Sequence, residues 1–235
     1  MVGLELREPA SALTHGLGCL LAIAGTFVLW RRAGHGRGPR FSLLVFGVCM
    51  IVCYALSTRY HGAIAPEERV LQLRRFDHVG IYLLIAGTYT PIAFGLLQGR
   101  WRRLTLLVAW MSAGLGTGVM LFLGLLPCWA STLIYLGLGG GAVLICVELR
   151  RRHPRRWLAP IVWGGVFYSV GAMINLAKWP DLWPGAFGAH DLFHLFVMAG
   201  SFSHYRFMLG VADRAEGRRR SPAEAASTLD APVPV

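Results

Sequence analysis

"FSLLVFGVCMIVCYALSTRYH", residues 41–61, reaches Arg59 before it meets a charged side chain, and it ends on a histidine. A stretch of that kind matches the roughly 20 apolar residues that a helix needs to cross hydrocarbon. The same pattern recurs on both sides of it. Apolar runs at about 11–30, 79–98, 102–124, 128–149, 157–176 and 188–210 are separated by short polar breaks, which makes seven spans in all. With 55% hydrophobic residues and a mean hydropathy of +0.52 over 235 residues, a soluble domain is excluded. Trp30, Trp101, Trp129, Trp157, Trp179 and Trp183 fall near the ends of the runs, at the depth where interfacial tryptophans belong. Alternating strands of the sort a membrane barrel requires are not seen. The predicted fold is therefore all-α, a seven-transmembrane-helix bundle forming one domain over residues 1–210. A polar, alanine-rich and proline-spotted tail over 211–235 reads as disordered.

The net charge of +11 would suit nucleic acid, but 22 of the 23 basic residues are arginines and most lie in the breaks between spans. They read as a topology signal, so no nucleic acid is expected as a partner and membrane lipid is. Arg31, Arg32, Arg37, Arg40, Arg100, Arg102, Arg103, Arg150, Arg151, Arg152, Arg155, Arg156, Arg214, Arg218, Arg219 and Arg220 share one side. Arg7, Arg69, Arg74, Arg75 and Lys178 hold the other. The positive-inside rule then puts the amino terminus outside and the carboxyl terminus in the cytoplasm of a multi-pass inner (plasma) membrane protein. The opening "MVGLELREP" carries two acids and one base, unlike the basic start of a cleaved signal, so the first span is expected to stay. Cys19, Cys49, Cys53, Cys128 and Cys146 lie within or at the edge of apolar runs and form no extramembrane disulfide framework. Gly114 with Gly118 and Gly137 with Gly141 are spaced for close helix approach. Pro91 is expected to kink or end the third span, and Pro127 to make a tight turn before the fifth.

Ionisable side chains at membrane depth are costly, so each one is a functional candidate: His15, His61, Asp77, His190, Asp191, His194 and His204. In "HDLFHLF", residues 190–196, the two histidines are four apart, about 40° from each other on one helix face and one turn up. That geometry lets two imidazoles share a zinc ion, and it equally suits interhelical hydrogen bonds. In an antiparallel chain the starts of odd-numbered spans and the ends of even-numbered ones share a membrane face. His61, Asp77, His190 and His15 all fall on the arginine-poor face. Three imidazoles, from His61, His190 and His194, with a fourth position left for water make a familiar catalytic zinc arrangement. Asp77 could hydrogen-bond that water or orient a ligand, and Ser57, one turn before His61, could face the same pocket.

Asp191 is offset by about 100° from His190 and 60° from His194, too far round the helix for its short side chain to act as a base as the glutamate of His-Glu-x-x-His does. Its partner is left open between Arg206, Tyr205 and the backbone. His204 lies 14 residues beyond His190, roughly 21 Å along the helix, and reads as an interfacial or interhelical histidine. Cys49 and Cys53 continue the stripe of His61 but read as small packing residues, and His15 has no assigned role.

"LTHGLG" at 13–18, "STRYH" at 57–61, "FDHVGIYLLIAGTYTP" at 76–91 and "FGAHDLFHLFVMAGSFSHY" at 187–205 together resemble the hemolysin III family, the bacterial branch of the progestin and adipoQ receptor superfamily. The likeness covers the chain apart from its tail. It implies a seven-helix bundle with zinc held by His61, His190 and His194, and with Asp77 hydrogen-bonded to the zinc water and Ser57 beside it. Asp191 stands where many relatives look like glutamate. Animal receptors of the superfamily have a cytoplasmic amino terminus, the reverse of what the arginines indicate for this chain. Similarity to ceramidase-like proteins implies hydrolysis of a lipid amide or ester, or regulation of membrane lipid homeostasis. A lipid sensor with structural zinc and a pore-forming cytolysin are the alternatives.

Overall fold

The computed structural model describes residues 6–34 and 36–217. Seven helices follow one another: α1 Pro9–Arg32, α2 Arg37–Gly62, α3 Glu67–Leu96, α4 Gly99–Gly118, α5 Cys128–Leu149, α6 Arg155–Ala177 and α7 Ala189–Gly217. Helix α4 passes into a π-helical turn, Val119–Leu123, before the chain reverses. No strand occurs among the described residues. Helices satisfy every backbone hydrogen bond within the segment, which hydrocarbon demands of any lipid-facing span. Six of the seven are long and apolar enough to cross a membrane. The exception is α7. Its 29 residues are ample in length, but it carries His190, Asp191, His194 and His204. Two of these polar residues, His190 and His194, belong to the histidine cluster.

The helix boundaries follow local chemistry. Pro9 opens α1, where its missing N–H costs nothing, and Pro66, Pro127 and Pro154 precede α3, α5 and α6. Glu67 and Glu68 place negative charge at the positive start of α3. Lys178 ends α6 in the left-handed region, with φ of 52°. Pro127 indeed sits at the reversal between α4 and α5. Pro91 does not end its helix: α3 runs through it to Leu96, because buried neighbours on both sides hold the segment.

Helix α3 is the hub, buried over most of its length and packed against α2, α4, α5 and α7. Short connections make sequence neighbours antiparallel, and α1 closes the ring against α7. The outer faces are apolar as lipid requires: Leu17, Leu20, Leu107, Met111, Leu115, Leu133, Val143 and Leu144 are all exposed.

Tight packing falls at other glycines than the two spaced pairs. A Cβ at Gly114, Gly118 or Gly137 would meet nothing, and one at Gly141 would touch only the Tyr89 hydroxyl. A Cβ at Gly80, by contrast, would lie 2.9 Å from the Cα of Cys53, and one at Gly87 2.6 Å from the Cβ of Cys49. Cys49 and Cys53 are thus the small residues that bring α2 onto α3, as their packing assignment required. The pairs in α4 and α5 belong to the two helices most open to lipid.

Helix α7 runs past residue 210. Val211 and Ala212 are buried in α7, which continues to Gly217. The rest of the expected tail lies outside the described residues.

Candidate metal centre

The last turn of α2 and the first two turns of α7 meet at one end of the bundle. His61 and His194 are each 1% exposed, and His190 faces a cavity. One ring nitrogen from each of His61, His190 and His194 lies within 4.8 Å of the other two. Ring centroids are 5.1 Å apart for His61 and His190, 4.7 Å for His61 and His194, and 4.7 Å for His190 and His194. The i, i+4 spacing supplies two of these imidazoles and the antiparallel return of α2 supplies the third.

Hydrogen bonds at the far side of the rings show which nitrogens are free. The Nδ1 of His61 is hydrogen-bonded to the Glu8 carboxylate, while its buried Nε2 has no partner among the described residues. Glu8 is held by Arg7, 3.1 Å away, and by its own backbone N–H donating to the carbonyl of His61. Arg7 donates in turn to the carbonyl of Tyr60 and lies over that ring. The bond from His61 holds the Glu8 carboxyl below the usual carboxylate range, and Nε2 is the ring nitrogen of His61 left for another partner. His190 is arranged in the same way, with its Nδ1 2.9 Å from the Oδ1 of Asn175 on α6. A partner on the outer nitrogen is the device that orients metal-binding histidines. Three nitrogen donors, two of them fixed in this manner, suit a borderline-soft ion such as zinc and leave a coordination position open.

Asp77 of α3 and Ser57 of α2 adjoin the cluster. Asp77 lines the same cavity as His190, and Ser57, one turn before His61 on α2, is buried. The structure brings three of the predicted site residues, His61, His190 and His194, within 4.8 Å of one another. Asp191 stays apart: its Oδ1 accepts from the Ser11 hydroxyl at 2.7 Å and its Oδ2 from the backbone N–H of Gly188 at 3.0 Å. It caps α7 and ties it to α1, a backbone partner rather than Arg206 or Tyr205. The Tyr205 hydroxyl donates instead to Gly25. His204 is interhelical, as expected from its depth: its Nε2 is 3.2 Å from the carbonyl of Ile161.

Three participants were not read from the sequence. Glu8 counted only as a flanking charge, Asn175 was unmarked, and His15 had no role. His15 stacks on His194 with centroids 3.7 Å apart. Applying the shared-face rule to the flanks and carboxamides, and not only to buried ionisable groups, would have brought Glu8 and Asn175 to notice.

Beyond His190 a cavity of about 950 Å³ opens between α3, α5, α6 and α7. Glu8, Asp77, His78, Asn175 and His190 line its polar end. Leu84, Ile85, Ile92, Leu136, Ile161 and Val197 line its depth.

A helical membrane bundle with a three-histidine cluster, two of its rings buried and the third open to a largely apolar cavity, defines a class of membrane protein. Within that class the chain belongs to the haemolysin-III related family, which matches residues 5–205. It is 34% identical over 198 residues to "Hemolysin-3" of Bacillus cereus, covering 83% of this chain and 87% of the relative. It is 32% identical over 197 residues to "Hemolysin-3 homolog" of Bacillus subtilis (strain 168), covering 83% and 89%. A plant relative, "Heptahelical transmembrane protein ADIPOR2" of Oryza sativa subsp. japonica, is 29% identical over 192 residues, covering 73% and 82%. The chain is a multi-pass membrane protein in contact with lipid.

Proposed function

We propose that the protein is a zinc-dependent hydrolase of a membrane lipid amide or ester. The observation that carries this reading is the junction of a three-imidazole cluster and a carboxylate with a cavity that runs into apolar side chains. Zinc at such a site supplies Lewis acidity, polarising a carbonyl and lowering the pKa of a water it holds to about 7.

The chain's own residues do the rest. His61, His190 and His194 hold the ion, and Glu8 and Asn175 fix the rings of the first two. Asp77 takes the proton of the attacking water and returns it to the leaving amine or alcohol, with Ser57 keeping the carboxyl group aimed. From Arg74 to Ile92 the cavity wall on α3 covers about 27 Å at the helical rise. That length accommodates an acyl chain while its carbonyl stays at the polar end. With the arginine-rich end cytoplasmic, the site lies toward the outer leaflet.

The test is turnover of a panel of acyl amides and esters by purified, zinc-loaded protein in lipid. Cleavage by the wild type, abolished in Asp77→Ala with zinc retained, is the expected result. No product from any member of the panel contradicts the reading.

A second reading takes zinc as a pin joining α2 to α7, in a lipid sensor without turnover. It is favoured by the origin of the ligands, which come from these two helices alone. Chelation then lowers thermal stability whether or not a product forms. The names of the Bacillus relatives point to haemolysis, and dye leakage from liposomes carrying the purified protein tests pore formation.

A further inference from the structure

The histidine cluster occupies the α2 and α7 side of the polar end. The wall built from α3 and α5 carries a second set of polar groups that the proposed chemistry does not use. The Nδ1 of His78 lies 3.0 Å from the Tyr135 hydroxyl, which bridges α3 to α5. Tyr82, one turn along α3 from His78, sets its ring edge-on to Tyr135 at 5.0 Å and fixes where that ring stands. Ser131, one turn before Tyr135 on α5, is 3% exposed. Its hydroxyl has no partner among the described residues, although it lines the cavity.

Three features connect this wall to the site. Ser131, Tyr135 and His78 all line the same cavity as His190. Tyr135 lies within electrostatic range of Asp77, and His78 within range of His190. Ser131 and Tyr135 sit in the first two turns of α5, and His190 and His194 in the first two turns of α7, so they share a depth in an antiparallel bundle.

A buried hydroxyl without a partner is costly, and the cost is recovered only when something polar reaches it. Serine and tyrosine hydroxyls each donate and accept, and an imidazole engaged at Nδ1 keeps Nε2 for another bond. The complement to such a set is a group that also donates and accepts, that is, a hydroxyl.

We propose that Ser131, Tyr135 and His78 form a head-group subsite that binds a hydroxyl of the lipid, opposite the histidine cluster and within reach of the same ligand. This rests on the lipid reading above and narrows it to acyl lipids with a hydroxylated head, whose carbonyl faces the cluster and whose hydroxyl faces α5. The subsite selects among acyl lipids and takes no part in bond cleavage.

The experiment compares two probes with the same acyl chain, monoolein and ethyl oleate, which differ by the hydroxyls of the head. Binding to the full-length, zinc-loaded protein in detergent is followed by intrinsic tryptophan fluorescence. The wild type is expected to bind monoolein about fivefold to tenfold more tightly, the ratio that one or two modest hydrogen bonds produce. Ser131→Ala and Tyr135→Phe should each bring the ratio close to one, with unchanged affinity for ethyl oleate and unchanged zinc content. Equal binding of the two probes by the wild type, or a preference that survives in the double variant, overturns the subsite alone. Failure of both probes to bind overturns the subsite together with the lipid reading. Because affinity is measured without turnover, a protein that binds monoolein selectively but cleaves nothing supports the subsite and contradicts only the hydrolase.

Discussion

Helix α7 carries two kinds of histidine, and the contrast between them separates a candidate site from a scaffold. His204 is 8% exposed, donates through Nε2 to the Ile161 carbonyl, and fills the space left by a glycine: a Cβ at Gly164 would lie 2.1 Å from its ring. Its ring packs against α6 and also borders the cavity that His190 lines. At the other end of the helix, His190 and His194 converge with His61 on a common point, and the hydrogen bonds fall on the outer nitrogens of His190 and His61. His204 makes one interhelical bond, through Nε2, while its buried Nδ1 has no partner among the described residues. The other group, with His61, offers one nitrogen from each ring to a common ion. Burial alone would not have distinguished them, since His194 is the more buried of the two types.

This contrast can be broken from either side. The largest effect is expected at Asp77: Asp77→Ala should remove turnover by about 100-fold or more, the range for loss of a general acid or base, while metal content stays at the wild-type level. Kinetics and metal analysis on the same sample check it. Next comes Glu8→Ala, which should weaken metal affinity by about 10-fold to 100-fold, as loss of an orienting partner does, with Glu8→Gln intermediate. Titration with a competing chelator reads this directly. If Glu8→Ala binds metal as the wild type does, the fixed ring of His61 has no consequence.

On the scaffold side, Gly164→Ala should destabilise the protein by about 1–3 kcal/mol through overpacking against His204, with metal affinity unchanged. Thermal unfolding with metal analysis tests both halves of that statement. Asp191→Ala is expected to cost about 1 kcal/mol by loss of the cap on α7, and to leave metal bound. A loss of metal in Asp191→Ala would show that the acid within "HDLFHLF" belongs to the site after all.

The spans were legible because hydrocarbon thickness fixes their length and composition, and the three histidines because helical spacing and antiparallel return leave few ways to arrange them. The depth assigned to His204 followed from the helical rise alone. What escaped depends on which face a helix turns inward. The paired glycines of α4 and α5 have the spacing of a contact, yet those helices show most of their surface to lipid. Gly80 and Gly87 carry the close approach because α3 is central. Glu8 and Asn175 were hidden for a related reason: they lie 53 and 15 positions from the histidines they hold, and each is engaged by side-chain contacts that only the folded bundle creates. Asp191 shows the reverse case. The angular offset that removed it from the cluster was readable, but its bond to Ser11, 180 positions away, was not.

The measurement that bears most directly on the account is the metal content of purified protein, wild type beside His190→Ala/His194→Ala, with His204→Ala as the control from the same helix. The account predicts zinc near one equivalent in the wild type and in His204→Ala, and its loss in the double variant. Zinc retained by a folded double variant, or absent from a wild type purified without chelator and offered zinc, would contradict it.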